Sequence, residues 1–196
     1  MKQYLLSSEY INWEHPEVFD EAKHLSDGLK DPIAIAKACF IFVRDEIKHS
    51  LDYELNPITC CASDALAFKT GFCYAKSHLL TALLRANSIP AGLCYQRLTV
   101  DDNKPPFCLH GLTAVFLPDI GWYRIDPRGN RSDVHAEFCP PKEKLAFQIK
   151  IPGEADLPEI WTEPLPTVVQ ALTVNKTFQD VAAHLPDVQL IQKVVQ

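Results

Sequence analysis

The chain has 196 residues, 47% of them hydrophobic, and carries 19 Lys and Arg against 25 Asp and Glu, for a net charge of −6. That length suits one well-cored unit with an appendage and leaves little room for two independent domains. An acidic chain whose basic residues are scattered argues against a nucleic-acid partner, which needs clustered Lys and Arg.

The start, "MKQYLLSSEYINWEH", lacks the central apolar stretch of an export signal. The longest apolar tract, "PIAIAKACFIFV", is broken by Lys37 and falls short of the roughly 20 residues of a membrane span. A cytoplasmic protein with no membrane partner is expected. Downstream, "HPEVFDEAKHLSDGLKDP" reads as a short helix with Pro16 in its first turn and Gly28 near its end. Ile33, Ala36, Phe40, Val43 and Ile47 then recur at spacings of three and four, which predicts a helix with one apolar stripe, capped by Asp31 and opened by Pro32.

A polar connection through Asn56-Pro57 leads to "SDALAFKTGFCYAKSHLLTALLRANSIPAG". Ser63 is placed to cap a short helical turn, Gly71 interrupts it, and from Cys73 a broad apolar face predicts a central buried helix ending near Asn87 and Pro90. The period then becomes alternating. "AGLCYQRLTV" and "FCLHGLTAVFL" read as strands, "PDIG" as a turn and "WYRIDP" as the return strand of a hairpin. Beyond Asn130 prolines punctuate the chain, with one strand expected at "KLAFQIKI" and one helix at "KTFQDVAAHL".

Seven cysteines, an odd number without a disulfide-framework spacing, read as free thiols. Cys39, Cys94 and Cys139 lie in apolar or proline-rich surroundings and read as inert packing. Cys73 stands at a helix N-terminus, where unpaired N–H groups and the helix dipole favour a thiolate. His15, His24, His49, His135 and His184 fall in loops, near helix ends or on solvated faces, and His78 points to another side of the helix from Cys73. His110 differs, because it interrupts an otherwise apolar strand. With the hairpin centred on Asp119, position 110 faces 128, and Asp126 becomes its diagonal neighbour on the same sheet face. A shift of one residue would separate the two.

The segments "SDALAFKTGFCYAKSHLLTALLRANSIPAGL", "LHGLTAVFL" and "GWYRIDPRGN", from about Ser63 to Asn130, resemble the core of the transglutaminase-like superfamily. The resemblance implies an α+β, papain-like fold with a central helix packed on an antiparallel sheet. It implies a single domain over 1–196, with a core at about 31–130, an N-terminal helical extension and a proline-rich C-terminal region. It further implies Cys73 as nucleophile, His110 as general base and acid, and Asp126 as the group that orients the imidazole. Tyr74 stands where large animal transglutaminases have tryptophan, and their calcium and additional β-domains have no counterpart here, so neither cofactor nor metal is expected. The mechanism implied is attack of a Cys73 thiolate on a carboxamide or peptide bond, giving a thioester resolved by water or an amine, with the Cys73 N–H as oxyanion donor. The second donor lies upstream, with Tyr53 and Asn56 as candidates. Two other readings compete. One is a noncatalytic peptide-binding module on the same fold. The other is a metal site drawn from Cys60, Cys61, Cys73, Cys108, His110 and His135, which lacks the C-x-x-C spacing that zinc favours.

Overall fold

The computed structural model describes residues 1–101 and 104–190. After a 3-10 turn at Lys2–Leu5, helix α1 (Pro16–Leu25) begins at a proline, and α2 (Pro32–Glu46) begins at another, with the Asp31 carboxylate accepting from the Ile33 N–H at 3.1 Å. A short parallel pair, β1 (Lys48–His49) and β2 (Thr70–Gly71), brackets α3 (Ala62–Phe68). Ser63 does not cap α3 as expected from the sequence: Cys61 holds the N-cap position, and the Ser63 hydroxyl instead accepts from Asn12 Nδ2 at 2.9 Å.

Helix α4 (Cys73–Ala86) is buried along its whole length. It lies against β3 (Ala91–Asp101) and β4 (Lys104–Leu117) on one side and against α1, α2 and α3 on the other. A helix enclosed on all sides buries apolar residues over a broad face and not a stripe, and here it encloses Lys76, His78 and Arg85 as well. With β5 (Gly121–Ile125) and β8 (Ala155–Asp156), the sheet runs in the order β5-β4-β3-β8, antiparallel throughout. Between them in sequence, β6 (Glu137–Cys139) and β7 (Lys142–Lys144) form a separate ribbon. Alternation divides β4 between the two faces: Leu109, Val115 and Leu117 join the core around α4, whereas Leu112 and Ala114 join a second cluster with Cys94 and Leu145 on the opposite face.

The C-terminal part departs from the sequence expectation in two places. "KLAFQIKI" is not a strand: only Lys144 belongs to a ladder, and the residues after it run irregularly across the outer face of the sheet. The stretch Pro166–Val174, given no element from its sequence, is helix α5. Its β-branched residues favour strand locally, but Val168, Ala171 and Leu172 bury one helical face, and that burial decides. Helix α6 (Phe178–Ala183) carries a reciprocal capping box between Thr177 and Asp180. The chain then returns to the sheet, where the Leu109 N–H donates to the Pro186 carbonyl at 2.7 Å and Arg97 forms a bidentate pair with Asp187. Residues 191–196 of the proline-rich region lie outside the described residues. Among the described residues, no helix is long and apolar enough to cross a membrane.

Arg85, near the end of α4, ties distant segments together. Its guanidinium is buried and donates to the carbonyls of Ala91, Leu6 and Thr162 at 3.0, 2.7 and 2.8 Å. Replacing it removes three hydrogen bonds from a charged donor, one buried and two part-buried, each worth about 1 kcal/mol. Arg85→Met is therefore expected to lower the unfolding free energy by about 3 kcal/mol, read from urea denaturation. A change within experimental error would show that these bonds contribute no net stability.

Candidate active site

The hairpin register sets the geometry. Leu117 pairs with Gly121 and Thr113 with Ile125, so the turn centres on Asp119, which takes a left-handed φ of 61°. That is the register read from the sequence. Pro127, lacking an N–H, cannot extend the ladder, and β5 stops at Ile125. Residues 109 and 111 of β4 point their N–H groups toward the edge that β5 has vacated. The Leu109 N–H is taken by Pro186, and the Gly111 N–H points at Cys73 Sγ, 3.5 Å away.

The start of α4 comes this close because residue 111 is glycine. A Cβ there would stand 2.9 Å from Tyr74 Cδ1 and 3.3 Å from Tyr74 Cα. Phe72, the N-cap residue, provides no side-chain acceptor to the first turn, so the N–H groups at the thiol end stay free for a ligand.

Asp126 is the first residue after β5, on the same face as His110. Its Oδ2 accepts the His110 Nε2–H at 2.8 Å and the Ala146 N–H at 3.1 Å, and its Oδ1 accepts the Arg128 N–H at 3.1 Å. Burial works to raise the carboxyl, but His110 and the two backbone donors prevail and hold it below the usual carboxylate range. For His110, burial works to lower the imidazole, and the charges and hydrogen bonds of Asp126 and Cys73 overcome it, pushing it up to about 10. The Phe147 ring stands edge-on to the imidazole with centroids 5.0 Å apart, fixing its plane. With Nε2 committed to Asp126, Nδ1 is the ring nitrogen left for the sulfur. Cys73, His110 and Asp126 thus meet at one place, 7%, 5% and 1% exposed. A thiol beside an imidazole anchored by a carboxylate can pass its proton to the ring, and a preformed carboxylate stabilises the resulting imidazolium.

The other candidates lie elsewhere. Burial pushes the Cys39, Cys60 and Cys108 thiols up to about 12 and raises Cys61 and Cys94 as well. The His78 Nδ1–H donates to the Cys60 carbonyl at 2.7 Å, and burial takes that ring down to about 4. Among the described residues, no three His, Cys, Asp or Glu side chains are grouped to hold a metal ion, and His135 is exposed. Tyr53 is exposed, and the Asn56 Oδ1 accepts the Phe178 N–H at 2.9 Å.

One histidine is misplaced by the sequence reading. His49 is not on a solvated face: it is 6% exposed, its ring lies edge-on to Phe72, and its Nδ1 has no hydrogen-bond partner. Burial, with the nearby Arg128 and Lys76, holds it well below the usual imidazole range. It lines a polar cavity of about 220 Å³ beside the start of α4. The polar run "RDEIKHSLDY" held the only sequence signal, since charges that dense after an apolar helix belong to a solvated loop or to a built site.

The sequence profile of the transglutaminase-like superfamily matches residues 21–127. No curated protein matches the chain. Among solved structures, a candidate cysteine protease from Cytophaga hutchinsonii is similar at 22% identity and a TM-score of 0.51, over 64% of this chain and 40% of that one. The periplasmic domain of TgpA from Pseudomonas aeruginosa is similar at 19% identity and a TM-score of 0.48, over 63% of this chain and 45% of that one. The chain therefore spans less than half the length of these two structures, and what the first of them shares with it is the fold.

The His110–Asp126 pair makes stability depend on pH. An imidazole raised from an ordinary 6.5 to about 10 stabilises fully below 6.5 and loses that contribution as pH rises through 10. A carboxylate held below its ordinary 3.8 stabilises above that pH and loses the contribution as pH falls. The stability gap between wild type and Asp126→Asn is expected to be widest between about pH 4 and 6.5 and to narrow on both sides. Urea denaturation across pH 3 to 10 reads it, and a gap independent of pH would contradict an ionised pair.

Proposed function

Because the chain belongs to the transglutaminase-like superfamily, we propose that it is a thiol-dependent acyl-transfer enzyme acting on amide bonds. The observation that carries this is the meeting of Cys73, at the uncapped end of α4, with a carboxylate-anchored imidazole on the vacated edge of β4. Cys73 acts as nucleophile, His110 as general base and then acid, and Asp126 as the group that sets the ring and balances its charge.

His110 takes the thiol proton and the sulfur attacks the carbonyl carbon. The Cys73 N–H stabilises the oxyanion of the tetrahedral intermediate. As the C–N bond breaks, His110 returns the proton to the departing amine and a thioester remains on Cys73. Water activated by the same imidazole releases a carboxylic acid, and an amine in its place gives a new amide. The substrate class is a peptide or another carboxamide. A noncatalytic peptide-binding module on the same fold is the competing reading, and nothing in the constellation favours it: all three residues are present, His110 is bonded to Asp126, and Cys73 lies against the residue next to His110.

Iodoacetamide at pH 7 separates the seven thiols. Five of them are raised by burial, which leaves Cys73 and the half-buried Cys139; in a Cys139→Ser background, alkylation of the folded protein is expected at Cys73 and is expected to vanish when Cys73→Ala is added. Turnover of amide substrates by wild type, lost by a factor of about 10³ or more in Cys73→Ala and in His110→Ala, completes the test. Labelling that persists in Cys73→Ala at Cys60 or Cys61 would remove the nucleophile assignment. A reactive Cys73 with no turnover on a broad amide panel would leave the binding module.

A further inference from the structure

The cavity beside the active site is built for a negative charge. The chain as a whole carries −6, yet this cavity is walled by Arg44, Lys48, Lys76 and Arg128 against the carboxylates of Asp45 and Asp52. Both carboxylates are already engaged: Asp45 with Arg44 at 2.7 Å, and Asp52 with both terminal nitrogens of Arg128 at 2.6 and 2.8 Å. That leaves two ammonium groups without a carboxylate partner among the described residues. Lys48 donates to the Asp45 carbonyl at 3.3 Å, and Lys76 donates to the Arg44 and Ile47 carbonyls.

Lys76 is fully buried, and burial together with Arg128 pulls it down to about 7 against the pull of Asp126 and Asp45. A buried ammonium in that condition lacks a sufficient counter-charge. His49 adds an independent sign. Its buried Nδ1 is unpaired and 3.7 Å from Asp52 Oδ2, beyond hydrogen-bond reach, and a neutral imidazole nitrogen in that position can donate to a ligand oxygen. Gly129, which lines the same cavity, has a φ of 109° that other residues rarely adopt, so the turn over this wall depends on glycine.

The cavity is tied to the thiol through three elements. Lys76 is one helical turn beyond Cys73, Phe72 against His49 is the residue before it, and Arg128 holds Asp126 through its own N–H. A volume of about 220 Å³ admits a carboxylate with a short stem or a single phosphate.

We propose that this cavity is an oxyanion subsite, in which Lys48, Lys76 and His49 bind a carboxylate or a small inorganic anion of the same charge. The occupant is the substrate's own carboxylate or a free anion. The first of these rests on the acyl-transfer reading above; the subsite itself does not.

Binding is read without turnover. The His49 ring resonances of the full chain are followed by NMR during titration with succinate at constant ionic strength, with neutral succinamide as control. Saturable shifts with succinate alone are expected, weakened about tenfold in Lys48→Gln and restored in Lys48→Arg. No saturable shift, or equal affinity in Lys48→Gln, overturns the subsite.

A second arm compares the p-nitroanilide of succinate bearing its free carboxylate with the methyl ester of the same compound. A KM about tenfold lower for the acid, with the preference lost in Lys48→Gln, makes the substrate's carboxylate the occupant. Equal KM values beside saturable succinate binding make it a free anion. Succinate binding without turnover of these or any of the broad amide panel sinks only the proposed function, and turnover without succinate binding sinks only the subsite.

Discussion

The early end of β5 is the constraint on which the rest depends. An antiparallel ladder running past Ile125 would have consumed the N–H groups of Gly111 and Leu109. Pro127 forbids it, and the vacated edge receives the sulfur of α4 and the returning C-terminal chain. The same stop leaves Asp126 at the strand terminus, free to turn its carboxylate toward three donors while keeping its place on the face of His110. A single imino acid thus creates the space and positions one of the groups that fills it.

Around that point the protein keeps charges inside that water would otherwise solvate. Asp126, His110, Lys76, Arg85 and Arg128 are all buried, which is tolerable only where each finds partners. Arg85 spends its donors on carbonyls from three segments, and Arg128 finds Asp52. Lys76 finds carbonyls but no carboxylate among the described residues, and it shares its cavity with His49, whose buried Nδ1 is unpaired. His78 Nε2 and Gln96 Oε1 are unpaired elsewhere, but only at this cavity does an unpaired buried nitrogen stand beside a buried ammonium that lacks a carboxylate partner among the described residues.

The C-terminal region closes this arrangement. Ala146 donates to Asp126, Phe147 stands against His110, and Pro186 occupies the edge next to Cys73. Ala146, Phe147 and Pro186 all lie outside regular strands, so their positions come from the surface they cover and not from a repeat of their own. Helix α5 shows the same dependence, its β-branched sequence made helical by the face it buries.

The sequence by itself determined the local and short-range features. The stripe of α2, the broad apolar face of α4 with Cys73 at its start, and a hairpin centred on Asp119 follow from periodicity, proline placement and turn chemistry, which act over a few residues. The pairing of His110 with Asp126 was legible for the same reason, since one turn links the two strands and alternation fixes their faces. Only the tertiary structure decided that His49 is buried, that Lys76 lacks a counter-charge, that Ser63 bonds Asn12 in place of its own helix, and that Ala146 and Phe147 complete the site. Those outcomes depend on which surfaces meet across long stretches of chain, and burial, unlike helical period or strand alternation, is a property of the assembled whole.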